Sequence, residues 1–447
     1  MKYLSLLLLL VSSFTVSGQD TIDVPVDLLG SWEGAFIKEN SYQKIAIDFY
    51  RRDNQLYTLQ MMDEWYPTFG EFEVPARILE NGQIAFGTGY GLAELTLDPN
   101  NLEMVGQLDG FNPAIYVHLK RVADRPAPNY MIEEVTIPSS DKINLYGHLH
   151  LPTTNPVKTA IILVGGRGCG ADATRYNLYA KFLRSYGVAV LAYQKRGTGN
   201  STGDCSLATI ADLAEDVVSA AQFLSARLEN FENIGVLGIS AGGWVMTKAQ
   251  TMNDFDFMAS VVGPATSVEE QQQQSMEYGA NFFQLPEDAR TGLREYLELM
   301  FRAAPNETDY DRMQELLSQA EDQGWRGLLE GTDIPAEVQE IDQLWVRRHQ
   351  FDPKPVLGNY QQPFFAIYGE RDWIVPPAEN VRRLEELFAD RPELLTIAIA
   401  YNAEHGMEME TRYVELDNNQ SYWHFYRISP QLRIELVNFL RKHQLID

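Results

Sequence analysis

The stretch that decides the fold is residues 233–247, which read NIGVLGISAGGWVMT. Its first half is apolar and rich in β-favouring residues, and its second half begins with small residues that suit a sharp turn into a helix. Ser240 stands at the junction. On such a turn the serine hydroxyl projects from the sheet edge, because Gly238 and Gly242 carry no side chains that would clash. Ser240 is therefore the predicted nucleophile, and a glycine turn without chemistry is the alternative.

The surrounding sequence alternates between short apolar segments and longer helical patterns. Such alternation predicts a mostly parallel sheet with helices on both faces, and a ligand site at the carboxyl ends of its strands. A hairpin over residues 131–151 comes first. The predicted strands that follow it are residues 159–164, 188–193, 233–239 and 257–262, and the predicted helices are residues 176–186 and 210–228.

An acidic turn follows the next predicted strand, residues 362–368. Asp372 lies in this turn, where a carboxylate can accept the N–H of a catalytic imidazole. Glu370 is the reserve candidate. The alternative is that Asp372 only caps the helix predicted for residues 377–390.

A histidine follows the last predicted strand of the sheet, residues 395–400. His405 lies in a loop at the end of this strand, where a general base belongs if it is to take the proton from Ser240. None of the other six histidines combines a strand-end position with this chain order.

The chain order Ser240, Asp372, His405 resembles that of the α/β-hydrolase superfamily. Residues 193–204, YQKRGTGNSTGD, resemble the Asp-x-Arg-Gly-x-Gly-x-Ser segment of its serine aminopeptidase-like and bacterial esterase groups, with Gln194 in place of the Asp. The acidic turn resembles the family's Gly-x-x-Asp-x-x-Val-Pro. The resemblance covers roughly residues 130–263 and 363–406. It implies the α/β-hydrolase fold and a supporting role for Arg196, whose charge partner stays open.

The resemblance also implies an oxyanion hole beside Ser240. Residues 165–168, GGRG, follow the predicted strand that ends at residue 164. In the superfamily this loop gives one N–H group and the residue after the nucleophile gives another. The backbone N–H groups of Arg167 and Ala241 are the predicted donors, and Gly166 supports them. The alternative is a glycine-rich loop that only turns. The loop lacks the Gly-Lys-Ser/Thr ending of a phosphate loop.

The chain has two cysteines, Cys169 and Cys205, which follow two strands that are neighbours in the usual hydrolase sheet order. A disulfide beside the oxyanion loop and a pair of buried free thiols are both open alternatives. The sequence has no His-Glu-x-x-His, and His148-x-His150 has no evident third ligand. We therefore expect neither a metal nor another cofactor.

Residues 1–18 carry Lys2, a short apolar run and small residues, a pattern typical of a signal peptide. We expect an exported protein, periplasmic or secreted, without an integral membrane segment after signal removal. The formal net charge of −26 excludes nucleic acids as expected partners. The oligomeric state is not predicted.

Three parts are predicted after the signal peptide. Residues 19–124 have short alternating runs between turn signals, which predict a small all-β domain, either barrel or sandwich. Its opening Gly30-Ser31-Trp32 resembles the start of lipocalin-like barrels. Residues 125–447 are the predicted hydrolase domain. Within it, residues 267–351 are predicted to form a helical cap that selects substrates, with helices near residues 287–303, 310–323 and 335–350.

The predicted reaction is hydrolysis of a small-molecule carboxylic ester through an acyl-enzyme. A serine aminopeptidase or other peptidase acting on short peptides is the alternative. A peptidase of that kind needs carboxylates for the substrate's ammonium group, and Glu404, Glu408 and Glu410 are the candidates. A non-catalytic protein that binds a ligand through its β-domain is a second alternative.

Overall fold

The computed structural model describes residues 26–38, 41–61, 71–88, 91–126, 128–153, 156–411 and 425–447. The predicted signal peptide lies outside these residues. The chain divides into two compact units, and the main boundary falls between Asp124 and Arg125. Within the described ranges, no helix has both the length and the apolar character needed to cross a membrane.

Eight strands of the N-terminal region close into a barrel in sequence order, so the predicted small all-β domain is confirmed and is a barrel. Buried side chains alternate with exposed ones along strands such as β8, which turns one face of each strand inward. Pro75 lies within β4, although proline disfavours a strand. The strands are β1 Gly30–Lys38, β2 Ser41–Arg52, β3 Gln55–Met61, β4 Glu71–Ile78, β5 Ile84–Gly87, β6 Leu92–Asp98, β7 Glu103–Leu108 and β8 Ile115–Arg121.

The second unit contains an eight-stranded sheet in the order β16-β15-β14-β13-β11-β12-β10-β9. The hairpin β9–β10 is antiparallel and also pairs antiparallel with β12, whereas the other pairs are parallel. This is the predicted α/β-hydrolase fold. The strands are β9 Tyr130–Pro138, β10 Asn144–Pro152, β11 Thr159–Val164, β12 Ala189–Tyr193, β13 Asn233–Ile239, β14 Phe257–Val261, β15 Phe364–Gly369 and β16 Leu395–Ala400.

Both faces of this sheet are buried, which explains why its central strands are continuous apolar runs. Along β11, Ile162 and Val164 join the core on one face, and Ile161 and Leu163 join the core on the other. The first face is covered by α2 Ile210–Ser225, α3 Gly242–Ala249 and α9 Pro377–Leu387. The second face is covered by α1 Leu178–Arg184 and α10 Pro430–Lys442.

The chain between β14 and β15 is an inserted helical segment, residues 262–363. Two of its helices lie close to the predicted positions, whereas the third prediction, a helix near residues 335–350, is confirmed only in part. That stretch forms a 3-10 turn, Val338–Gln343, and a short helix, because Leu344 leaves the helical region with φ −52° and ψ 139°. The helices are α4 Val268–Phe282, α5 Glu287–Arg302, α6 Glu307–Gln323, α7 Trp345–Arg348 and α8 Lys354–Leu357.

Helix α4 was not predicted, because its run of four glutamines shows no apolar period. Its beginning nevertheless carries a readable signal. Ser267 and Glu270 form a capping box, in which each side chain accepts a hydrogen bond from the other's backbone N–H.

Candidate active site

Ser240 occupies a strained turn between β13 and α3, with φ 52°. The flanking glycines are required by space. A Cβ on Gly238 would lie 2.5 Å from the carbonyl oxygen of Gly242, and a Cβ on Gly242 would lie 2.4 Å from that of Val164. The Ser240 N–H donates to the carbonyl of Val261 at 2.9 Å, which fixes the turn to the neighbouring strand. The serine side chain is thereby held at the carboxyl end of the sheet.

The structure brings the three predicted catalytic residues into one hydrogen-bonded chain. Ser240 Oγ lies 2.9 Å from His405 Nε2, and His405 Nδ1 lies 2.9 Å from Asp372 Oδ2. The reserve candidate Glu370 instead accepts a hydrogen bond from the backbone N–H of Asn402. Asp372 accepts from Nδ1–H, so Nε2 carries the lone pair that faces the serine hydroxyl.

The Asp372 side chain is fully buried and oriented by its own turn. Its second oxygen, Oδ1, accepts hydrogen bonds from the N–H groups of Ile374 and Val375, each at 2.9 Å. Both carboxylate oxygens are therefore occupied, and the oxygen that faces His405 has a fixed position.

The loop of residues 165–168, here called the oxyanion loop, passes beside the serine. A Cβ on Gly166 would lie only 3.1 Å from Ser240 Cβ, so a larger residue would crowd the site. Among the described residues, no backbone or side-chain group accepts a hydrogen bond from the N–H of Arg167 or Ala241. The two predicted donors are therefore available to a substrate oxygen.

Lys195 holds the oxyanion loop and was not predicted. Its ammonium group donates to the carbonyls of Gly166 and Gly168, the latter at 2.9 Å. The side chain is buried. Burial lowers the pKa of Lys195, and the carboxylate of Asp172 opposes that shift. No sequence pattern marks Lys195, because it occupies an unspecified position of the segment at residues 193–204.

The Arg167 side chain joins the oxyanion loop to the inserted helical segment. Its guanidinium group lies 2.5 Å from Asp333 Oδ1 and 3.1 Å from Glu330 Oε2. It also donates to the hydroxyl of Thr332 and stacks on the ring of Trp345, 4.4 Å from the ring centre. Asp333 is almost fully buried. These partners are more than 160 residues away along the chain, too far for any local pattern to reveal.

Two further supports surround the loop. A disulfide joins Cys169 and Cys205, so the structure contains the first of the two open alternatives for these residues. Arg196 donates to both oxygens of Asp216, at 2.8 Å and 2.9 Å, and Asp216 is fully buried in α2. Asp216 is therefore the charge partner of Arg196, which the sequence left open because Gln194 stands where the family has an Asp.

A cavity of about 600 Å³ adjoins the oxyanion loop. Gly166, Arg167 and Ala241 line one side of it, whereas Ser240 and His405 do not line it. Much of the remaining wall is apolar and comes from the disulfide region, α2 and the inserted segment. Trp345 is part of this wall.

Two of the carboxylates predicted to bind a substrate ammonium group, Glu404 and Glu408, have other surroundings. Glu404 forms an ion pair with Arg371 at 3.4 Å. Glu408 begins a strand, β17 Glu408–Thr411, that also contains Glu410 and pairs with β18 Phe425–Ile428. Burial, together with repulsion from Glu404, raises the pKa of Glu408 to about 7. Glu404 is therefore already compensated, and Glu408 is only partly ionised near neutral pH.

The pair His148 and His150 is occupied by internal contacts. His148 Nδ1 lies 2.8 Å from the hydroxyl of Thr174, and His150 Nε2 lies 2.8 Å from its carbonyl oxygen. Burial lowers the pKa of both, that of His150 to about 3. Both rings are therefore neutral at physiological pH.

Residues 155–308 match the family model described as serine aminopeptidase, S33. This match confirms the predicted resemblance to α/β-hydrolases of the serine aminopeptidase group. No curated protein matches the chain.

Solved structures similar to this chain include esterases and peptidases. The Pyrococcus furiosus esterase Pf2001 is 16% identical, with a TM-score of 0.42, over 72% of this chain and 96% of that chain. Est1E from Butyrivibrio proteoclasticus, solved with ferulic acid, is 16% identical, with a TM-score of 0.43, over 70% of this chain and 100% of that chain. The Mycobacterium smegmatis proline iminopeptidase is also 16% identical, with a TM-score of 0.43, over 70% and 99%. Likenesses this distant do not identify a substrate.

Proposed function

We propose that this α/β-hydrolase is an exported serine hydrolase that cleaves carboxylic esters through an acyl-enzyme intermediate. The observation that carries the proposal is the chain of contacts from Ser240 through His405 to Asp372, with 2.9 Å at each link. These distances suit proton transfer between the hydroxyl and the imidazole.

In the proposed reaction, Ser240 Oγ attacks the ester carbonyl carbon while His405 Nε2 takes the hydroxyl proton. The bond to the leaving alcohol then breaks, and His405 returns the proton to the alcohol oxygen. A water molecule, deprotonated by His405, then attacks the carbonyl carbon of the acyl-serine, the bond to Ser240 Oγ breaks, and His405 returns the proton to Oγ as the carboxylic acid leaves. Asp372 stabilises the imidazolium in both halves of the reaction, and its buried position supports that role.

The negative charge on the tetrahedral oxygen requires donors on the opposite side of the carbonyl. The N–H groups of Arg167 and Ala241 would supply them, because each belongs to a segment that contacts the Ser240 turn. Gly166, Gly238 and Gly242 permit the close approach of these segments, and Arg196 supports the turn that carries Lys195.

We also propose that the inserted segment is a cap that selects substrates. Its residue Trp345 lines the cavity beside the oxyanion loop, which supports that assignment. Export is supported by the pattern of residues 1–18 and by the disulfide, since disulfides persist mainly in oxidising compartments. The expected location is the periplasm or the exterior.

A serine aminopeptidase is the second candidate, favoured by the description of the matching family model. The ion pair between Glu404 and Arg371 weakens it, because a compensated carboxylate binds a substrate ammonium group less well. A protein that only binds a ligand is the third candidate.

Short acyl nitrophenyl esters and aminoacyl nitroanilides separate these candidates, with Ser240→Ala as the blank. Efficient ester hydrolysis that is absent from the blank is the expected result. Anilide cleavage with negligible ester turnover would make the protein a peptidase, and the absence of both activities would favour the non-catalytic candidate.

A further inference from the structure

The cavity beside the oxyanion loop carries an excess of positive charge. Among the described residues that line it, Arg167, Lys195 and Arg348 are cationic and only Glu340 is a carboxylate. The whole chain, in contrast, has a formal net charge of −26. A volume of about 600 Å³ is within the usual range of ligand sites. The lining side chains therefore include three cations and one carboxylate, although the chain as a whole is acidic.

Three of these four charges already have partners. Arg167 is paired with Asp333 and Glu330, and Lys195 donates to two carbonyls of the oxyanion loop. The Glu340 carboxylate accepts a hydrogen bond from the backbone N–H of Ala336 at 2.6 Å. Arg167 and Lys195 are therefore held by other groups of the protein, although Arg167 Nε has an ion-pair contact with Glu330 and no hydrogen-bond acceptor.

Arg348, the last residue of α7, is different. Its Nε donates to the carbonyl of Gln343 at 2.9 Å, but no described group accepts a hydrogen bond from Nη1 or Nη2. Nη1 is buried, and no carboxylate of the described residues lies within 4 Å of the guanidinium group. Burial lowers the pKa of Arg348, and the charge of Arg167 adds to that shift, while Asp204 opposes it. Buried donors are normally paired, so this group lacks an acceptor.

The lining residues indicate which part of a substrate enters the cavity. Gly166, Arg167 and Ala241 belong to the oxyanion side, whereas His405 is not part of the wall. The leaving alcohol must stay beside His405, because it receives its proton there. The acyl part therefore extends into the cavity, where Leu207, Ile334 and Leu344 offer apolar contacts.

We propose that the acyl part of the substrate ends in an anionic group, such as a carboxylate, that binds to Arg348. The substrate class is then the hemiesters of dicarboxylic acids with an apolar spacer, and hydrolysis releases the diacid and the alcohol. This inference rests on the proposed ester hydrolysis at Ser240.

The test compares two substrates that differ only in the distal group: the mono-nitrophenyl ester of suberic acid, and the same ester with its second carboxylate methylated. The ratio of their kcat/KM values is measured for the wild type and for Arg348→Met, and this ratio cancels any loss of active enzyme. We expect the wild type to prefer the anionic ester and Arg348→Met to lower the ratio about tenfold to a hundredfold. Arg348→Lys should restore part of the preference.

The matched control is Arg382→Met, which removes an exposed arginine that pairs with Glu379 and Glu386 on α9. It makes the same change in net charge and should leave the ratio unchanged. A wild type that prefers the methylated ester would overturn the inference. An equal fall of the ratio in both variants, or no fall in Arg348→Met, would do the same.

Binding to Ser240→Ala separates this inference from the proposed reaction. Calorimetry with monomethyl suberate should give a Kd about tenfold or more tighter for Ser240→Ala than for Ser240→Ala/Arg348→Met. This difference would support the anion site even if neither ester were hydrolysed. Equal dissociation constants would refute the site while leaving the catalytic proposal intact.

Discussion

On one side of Ser240, the acid and the base are held by short contacts within their own turns. On the other, the oxyanion loop is held by residues from distant parts of the chain. Asp372 is oriented by the N–H groups two and three residues beyond it, and the His405 turn closes through a bond between Glu404 N–H and the carbonyl of Glu408. The oxyanion loop instead depends on Lys195, on the disulfide and on Asp333. We call these the acid–base side and the oxyanion side.

Because the two sides are supported differently, single substitutions should affect catalysis differently on each side. On the acid–base side, His405 and Asp372 themselves take part in the proton transfer, so a single substitution there removes a chemical step. The oxyanion side has several supports that act through loop position, so the loss of one leaves the others in place. Substitutions on the acid–base side should therefore cost more.

We expect the largest loss of activity from a substitution of Ser240, which lies between the acid–base side and the oxyanion side. Ser240→Ala removes the attacking oxygen and should lower kcat for ester hydrolysis by roughly 10⁶-fold, in line with triad deletions elsewhere. The thermal midpoint of unfolding should change little, because the side chain is small. Steady-state kinetics checks the first expectation and circular dichroism the second. Turnover within tenfold of the wild type would remove the proposed mechanism.

On the acid–base side, Asp372→Asn should lower kcat by about 10⁴-fold. The amide retains an acceptor for the N–H groups of Ile374 and Val375 but no longer stabilises the imidazolium. Pre-steady-state and steady-state rates with a nitrophenyl ester measure the loss. A reduction below tenfold would mean that the carboxylate is not the partner of His405 during the reaction.

On the oxyanion side, Lys195→Met should lower kcat by about 10²-fold with little change in KM. The substitution removes the ammonium group that donates to the carbonyls of Gly166 and Gly168 and so holds the oxyanion loop. A displaced oxyanion donor can lower the rate by about 10²-fold. Lys354→Met is the matched control at an exposed position. If Lys195→Met were as harmful as Asp372→Asn, the contrast between the two sides would be wrong.

The smallest effect concerns the stability of the acid–base side. The pKa of Glu408 is raised to about 7 in the folded protein from an ordinary 4.5, so the folded protein keeps a proton that the unfolded chain releases. The free energy of unfolding therefore falls as the pH rises from about 4.5 to about 7, and the loss persists above pH 7. Glu408→Gln has no carboxyl group to titrate, so its free energy of unfolding should fall by roughly 1 to 2 kcal/mol less than that of the wild type over this pH range.

Urea unfolding at pH 5 and pH 8 measures this effect as the difference between Glu408→Gln and the wild type. Glu393→Gln, at an exposed carboxylate, should show no such pH-dependent difference. A difference for Glu408→Gln that does not grow with pH would show that the carboxyl group is not destabilised by burial.

The same contrast explains what the sequence can and cannot predict. The Ser240 turn, the acidic turn and the His405 loop each carry a local pattern, and strand order brings them to one edge of the sheet. The alternation of strands and helices likewise predicts the sheet. These features depend on residues that are close together in the chain, so a short segment of sequence is enough to predict them.

The residues that support the oxyanion side have no such local sequence pattern. Lys195, Asp333 and Asp216 act through contacts with residues far away in the sequence, and nothing in their neighbours marks them. The polar helix α4 was missed because periodicity reveals a helix only when its buried face is apolar. The break at Leu344 was missed because it is a change in the backbone of one residue, which periodicity does not report.

The most direct test of the account is labelling of the folded protein with a fluorophosphonate, followed by peptide mapping. We expect one covalent adduct, on Ser240, that forms quickly in the wild type, slowly in Asp372→Asn and not at all in Ser240→Ala. An adduct on another residue, or no adduct on a protein that still hydrolyses esters, would contradict the assignment of Ser240 as the nucleophile.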